Sequence, residues 1–75
     1  MQEVKNMSEI NEFRSAVEGF LAIHGMTDTE FGGRFAGDFS FVQRLRRGME
    51  PMTPRRTRIL EAMEKYNAEH PVDDK

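Results

Sequence analysis

The stretch MTDTEF, residues 26–31, constrains this chain more than any other. Thr27-Asp28-Thr29-Glu30 spells a capping box. The Thr27 hydroxyl can accept from the Glu30 amide, and the Glu30 carboxylate can reach back to the Thr27 amide. Met26 before the cap and Phe31 four residues beyond it form the matching hydrophobic staple. A helix must therefore start here, and the chain before it must already have turned.

Working outward from that fixed point gives four helical segments. Ile10, Phe13, Val17, Phe20 and Leu21 recur at steps of three and four, so a first helix is expected from about Ser8 to His24. Ser8 suits its N-cap, and Gly25 suits a left-handed residue closing its end. His24 in the last turn favours the helix dipole, a structural role. The second helix runs from the capping box to about Ala36, with Phe31 and Phe35 on one face. Gly32 and Gly33 each weaken it by roughly 1 kcal/mol relative to alanine. Gly32 has a rationale if another helix approaches it closely; Gly33 has none from the sequence.

Gly37 permits a sharp turn, and Asp38 is a good N-cap for a third helix. The alternation of Phe39, Ser40 and Phe41 also suits a strand, but no partner strand and no hairpin signal accompany it. As a helix ending at Gly48, the segment puts Phe41, Val42 and Leu45 on one face and Ser40, Gln43, Arg44 and Arg47 on the other. After the connector 49–52, Thr53 is expected to cap a fourth helix with Pro54 at its first position. Ile59, Leu60, Met63 and Tyr66 mark its apolar face. The expected organisation is a flexible N-terminus over residues 1–7, one domain over 8–67 and a flexible tail over 68–75. At 75 residues the core is marginal.

Net charge is −2, yet it is unevenly placed. Residues 34–58 hold seven arginines against Asp38 and Glu50, a balance of +5, between an N-terminal part at −4 and a C-terminal part at −3. A focused basic patch matters more for anion capture than the total, and arginine is the side chain best suited to phosphate. The plainer alternative is a solvated surface. Arg55, Arg56 and Arg58 sit in the first turn or so of the fourth helix, where the dipole disfavours cations. A docked phosphate would account for them, and so would simple exposure.

A short helix, a tight turn and a second helix rich in Gln and Arg is the plan of a helix-turn-helix. The stretch GMTDTEFGGRFAGDFSFVQRLRRG, residues 25–48, resembles the lambda-repressor-like (Cro/XRE-type) helix-turn-helix family. The resemblance is carried by Gly25-Met26-Thr27, Phe31-Gly32, Phe35, Val42, Leu45 and Gly48. It covers these 24 residues closely and the flanking helices more loosely. It is similar also to short regulators of alphaproteobacteria and their phages, through Gly37, Asp38, Phe41, Val42, Leu45, Arg46 and Gly48. Three departures stand out. Gly32 occupies a usual alanine position, Ala36-Gly37 replaces a Gly-apolar turn, and Phe39 stands where a polar base reader is common. A fifth, dimerising helix is absent or very short.

The resemblance implies an all-α, four-to-five-helix domain and a sequence-specific DNA-binding transcriptional regulator. Ser40, Gln43 and Arg44 are expected to read bases in the major groove, Gln suiting adenine and Arg guanine. Thr27, Arg34, Arg46, Arg47, Arg55, Arg56 and Arg58 are expected to hold phosphates. Phe39 would stack on the core edge, touch a thymine methyl or meet a partner. Pairing is expected, as a homodimer or with a second transcription protein, because a single small module buries little surface on DNA. The alternative is a protein-interaction module, an antirepressor or adaptor, on the same fold.

No cysteine is present, which excludes disulfides, thiolate metal sites and thiol nucleophiles. His24 and His70 lack metal-ligand spacing. With no paired acid and base and no phosphate-cradling loop, no enzyme and no cofactor are expected. No apolar run approaches the length needed to span a bilayer, and no apolar stretch follows Lys5 as in a secretory leader. A cytoplasmic, nucleoid-associated protein without a membrane partner is the expectation.

Overall fold

The computed structural model describes the backbone of residues 4–71 and the side chains of residues 9–71. Within that span the chain is helical and holds no strand. The helices are α1 (Val4–His24), α2 (Asp28–Phe31) continuing into a π turn (Gly32–Ala36), α3 (Phe41–Arg46) and α4 (Thr53–Glu69).

Helix α1 buries the expected stripe of Ile10, Phe13, Val17, Phe20 and Leu21. It begins at Val4, so Ser8 lies inside the helix and does not cap it. Nothing between Val4 and Ser8 breaks a helix, and an interior serine costs only a fraction of a kcal/mol, under about 0.7. Residues 4–7, expected to be flexible, are thus helical, while the rest of that expected terminus lies outside the described residues. Gly25, at φ 60°, closes α1. The Gly25 amide donates to the Ala22 carbonyl and the Met26 amide to the Leu21 carbonyl, at 3.4 and 3.0 Å. This pairing is a Schellman motif.

The capping box forms as its residues dictate. The Glu30 amide donates to Thr27 Oγ1 at 3.1 Å, and the Thr27 amide donates to Glu30 Oε1 at 3.4 Å. Met26 and Phe31 are both buried beside it. From Gly32 the helix widens into the π turn, which ends at Gly37 with φ 67°. Gly32 is where the chain folds back on itself: a Cβ there would lie 2.2 Å from the Asp38 carbonyl oxygen. The close approach comes from the turn that leads into α3, and no other helix is involved.

Asp38 does act as a cap, but through a turn. Its Oδ1 accepts from the Ser40 amide at 3.0 Å and its carbonyl from the Phe41 amide at 3.0 Å. Helix α3 therefore opens at Phe41, later than Asp38 alone suggests. It ends in a second Schellman motif: the Gly48 amide donates to the Leu45 carbonyl, and the Met49 amide to the Arg44 carbonyl. Gly48 takes φ 113° for this purpose.

Thr53 is the first residue of α4, and Met52 is the extended residue before it. The threonine hydroxyl accepts from Arg56 Nη2 at 3.1 Å and caps no backbone amide, which places Pro54 second in the helix. Ile59 and Met63 are buried and Tyr66 is half-buried, whereas Leu60 is 37% exposed at the edge of the packed face. Helix α4 continues to Glu69, beyond the expected domain limit at residue 67, and the His70 ring stacks on Tyr66 at 4.0 Å. Residues 72–75 of the expected tail lie outside the described residues.

One core joins all four helices. Phe31, Phe41, Leu45, Val17 and Val42 are its most enclosed side chains. Phe20 meets Phe31 and Phe35 edge-on at 5.7 and 5.4 Å, and Phe13 meets Phe41 edge-on at 6.4 Å. Edge-to-face aromatic pairs add about 0.5–1.5 kcal/mol beyond the area they bury. That contribution matters in a core this small.

Candidate nucleic-acid interface

Helix α3 is pinned to the core by Phe41, Val42 and Leu45, and this decides what its other face presents. Ser40, Gln43, Arg44 and Arg47 are all exposed. They recur at steps of three, one and three, so they form a single strip along the helix. The three residues expected to read bases thus lie together, with Arg47 continuing their line.

Arg44 is held in place. Its Nη2 donates to Asp38 Oδ2, and its side chain is half exposed. Asp38 thus serves both ends of the first turn: one carboxylate oxygen caps Ser40 and the other orients Arg44.

Arg46, expected at a phosphate, is engaged within the chain. Its Nε and Nη2 donate to the two oxygens of Glu18 at 2.7 and 2.9 Å, and its Nη1 donates to Asp28 Oδ2 at 2.7 Å. All three guanidinium nitrogens are used, so this residue ties α3 to α1 and to the first turn of α2. The hydrogen bond from Arg46 holds the Glu18 carboxyl below its ordinary range, and the attraction of the guanidinium adds to this. The same bonds, to Glu18 first and Asp28 second, raise the guanidinium above its ordinary value.

Two of the three arginines opening α4 are also occupied. Arg55 Nη2 donates to the Ala36 carbonyl at 3.0 Å, and its guanidinium lies 5.1 Å from the Phe41 ring centroid. Arg56 donates to the Pro51 carbonyl at 2.7 Å and to Thr53, with Glu9 at 3.5 Å. These carbonyls account for cations at an otherwise unfavourable helix start without any bound anion. Arg58 is exposed, and with Arg55 it lines a shallow cleft beside Met49 and Pro54.

Among the described residues, no side-chain hydrogen bond or ion pair engages Arg47 or Arg58. Arg34 is exposed, with its guanidinium 5.3 Å from the Tyr66 ring. It shares a shallow depression with Thr27, Thr29, Gly33 and Phe39 at the start of α3. Thr27 is exposed, and its hydroxyl accepts from the Glu30 amide in the capping box.

Sequence reasoning missed Arg14. Its Nε donates to the Leu45 carbonyl at 3.2 Å, across 31 positions, and so satisfies the end of α3. No local signal marks it, because the contact exists only once α1 crosses that end. His24 lies in the last turn of α1, as expected, and its contacts are to α1 and α4: its Nε2 lies 2.7 Å from Asn67 Oδ1, with its ring against Phe20 and Tyr66. Among the described residues, no group of three His, Asp or Glu side chains could hold a metal ion, and no helix is long and apolar enough to cross a membrane.

Compared with family models, curated proteins and solved structures, the chain matches none.

Proposed function

We propose that this chain is a sequence-specific DNA-binding transcriptional regulator of the lambda-repressor-like helix-turn-helix type, reading one major groove with α3. The observation that carries the reading is the strip of Ser40, Gln43, Arg44 and Arg47, exposed along a helix whose opposite side is core. A short α2 with its π turn, then a turn at Gly37, then α3 is the order of elements in a helix-turn-helix, which supports the reading. Gln43 and Arg44 carry the donor patterns that pair with adenine and guanine edges. Arg47, at the end of that strip, and the exposed Arg58, Arg34 and Thr27 supply the phosphate contacts. Arg46, Arg55 and Arg56 support it by holding the helices in place.

Selection of bound duplexes from a random pool tests this reading. A defined consensus is the expected result, and a two-fold symmetric one would report a homodimer. Arg44→Ala should relax discrimination at one base pair by about 1–3 kcal/mol. Arg58→Ala should weaken binding to every sequence alike and flatten its salt dependence. No retained duplex at low salt, or equal losses for both variants on selected and random DNA, would overturn the division of roles.

A second reading, the protein-interaction module, is favoured by a groove between α1 and α4. Ala16, Gly19, Ile23 and Leu60 line it, with Glu12 and Glu64 along its length. Ile23 is 61% exposed there. The carboxylates suit a basic amphipathic segment of another protein and set a second copy of this chain at a disadvantage, since acids would face acids. Titration with a lysine-rich amphipathic peptide, followed by amide chemical shifts at Ala16, Ile23 and Leu60, tests it. Shifts abolished by Glu64→Lys are expected. A concentration-dependent dimer in sedimentation, or no shifts, would overturn it.

A further inference from the structure

Phe39 is 69% exposed, while Phe13, Phe20, Phe31 and Phe41 are buried and Phe35 is half-buried. Its ring nevertheless has a seat. A Cβ on Gly33 would lie 2.5 Å from Phe39 Cε1 and 2.9 Å from Cδ1, so the ring rests on the bare backbone of the π turn.

Gly33 has no other reason to be glycine. Its φ is not in the left-handed region, where Gly25, Gly37 and Gly48 lie. No backbone atom crowds it, in contrast to Gly32 and the Asp38 carbonyl. Within a helical turn, glycine is less favourable than alanine. What that cost obtains is the position of one exposed ring, at the N-terminal end of the reading strip, in the depression shared with Thr27 and Arg34.

We infer that Phe39, seated on Gly33, is an apolar subsite for the 5-methyl group of a thymine in the bound duplex. Gly33 is its positioning residue. The inference rests on the DNA-binding reading and goes beyond it. A phenyl ring cannot exchange hydrogen bonds with base edges, and the thymine methyl is the apolar feature of the major groove. Donors flanking the ring fit this placement, because phosphate contacts set the angle at which a reading group meets the bases. Arg34 and Thr27 line the same depression, together with Thr29 and Glu30.

The test uses the full chain and the duplex it selects, with each thymine replaced in turn by deoxyuridine, which removes only the methyl group. One replacement should weaken wild-type binding about fourfold, the value of one buried methyl-sized group. For Phe39→Ser and Gly33→Ala the thymine and uracil duplexes should bind equally. Gly33→Ala should at the same time melt no lower than wild type, because the displaced atoms belong to an exposed ring. That combination separates positioning from a structural role. If wild type selects a consensus but tolerates every replacement, or if either variant keeps the methyl preference, this inference is overturned and the DNA reading stands. If wild type retains no duplex at all, the DNA reading itself falls, and this subsite with it.

Discussion

Arg46 and Arg47 are neighbours on one helix, yet they belong to opposite kinds of region. At the junction of α1, α2 and α3, charge is consumed in folding: Arg46 spends every nitrogen on Glu18 and Asp28, and Arg14 satisfies the Leu45 carbonyl. On the outer strip of α3, one step around the helix, Ser40, Gln43 and Arg47 are exposed, and among the described residues Arg44 is the one side chain of the strip paired with a carboxylate. The difference teaches that a run of arginines is not one functional unit. Which cation holds the fold and which faces outward depends on a rotation of about 100° per residue.

The sharpest way to break this contrast is to remove the core beneath both regions. Phe41→Ala should cost about 3–5 kcal/mol, enough to unfold much of a domain this small, seen as a fall in denaturant midpoint. Both the junction and the strip should then be lost together. Survival of either alone would mean that α3 is not their common support.

Adjacent glycines offer a finer comparison. Gly32→Ala sets a Cβ against the Asp38 carbonyl, a backbone atom, and should cost about 1–3 kcal/mol in thermal or chemical denaturation. Gly33→Ala meets only a movable ring and should be neutral, or stabilising by up to about 1 kcal/mol. Equal effects would deny that the turn into α3 is held by backbone contact.

Arg46→Ala and Arg47→Ala should separate stability from affinity. The first should lower stability by at most about 1 kcal/mol, since its ion pairs are well exposed, and should leave the salt dependence of DNA binding unchanged. The second should leave the melting temperature alone and reduce the magnitude of the logarithmic salt slope by about 0.9. A reversal would exchange the roles of the two regions.

The smallest effect is the pH dependence of the junction. Because the folded state holds the Glu18 carboxyl below its ordinary range, its contribution is present above that range and is lost as pH falls through the lowered value. Wild type should therefore lose slightly more stability than Glu18→Gln on acidification, measured by denaturation from neutral pH downward. Parallel curves would remove Glu18 from the clamp.

Much of the architecture was legible without coordinates. The Thr27–Glu30 box, the left-handed Gly25 and Gly37, the close of α3 at Gly48, and the buried stripes of α1 and α3 all arise from rules that act over four or five residues. Helix limits were less legible. Ser8 looks like a cap although α1 already runs from Val4, and Thr53 looks like a cap although Met52 adopts the capping backbone. The strip of Ser40, Gln43 and Arg44 could be read because periodicity specifies a face. The division among the arginines could not, because Arg46 reaches Glu18 across 28 positions and Arg55 reaches Ala36 across 19.

By itself, then, the order of residues determined that four helices form, where α2 starts, where glycines turn the chain, and which side of each helix is apolar, since caps, glycines and spacing act locally. Tertiary packing alone decided which cations serve the fold and that the Phe39 ring lies over Gly33. Those outcomes depend on groups brought together from distant parts of the chain, and no local pattern encodes which faces will meet.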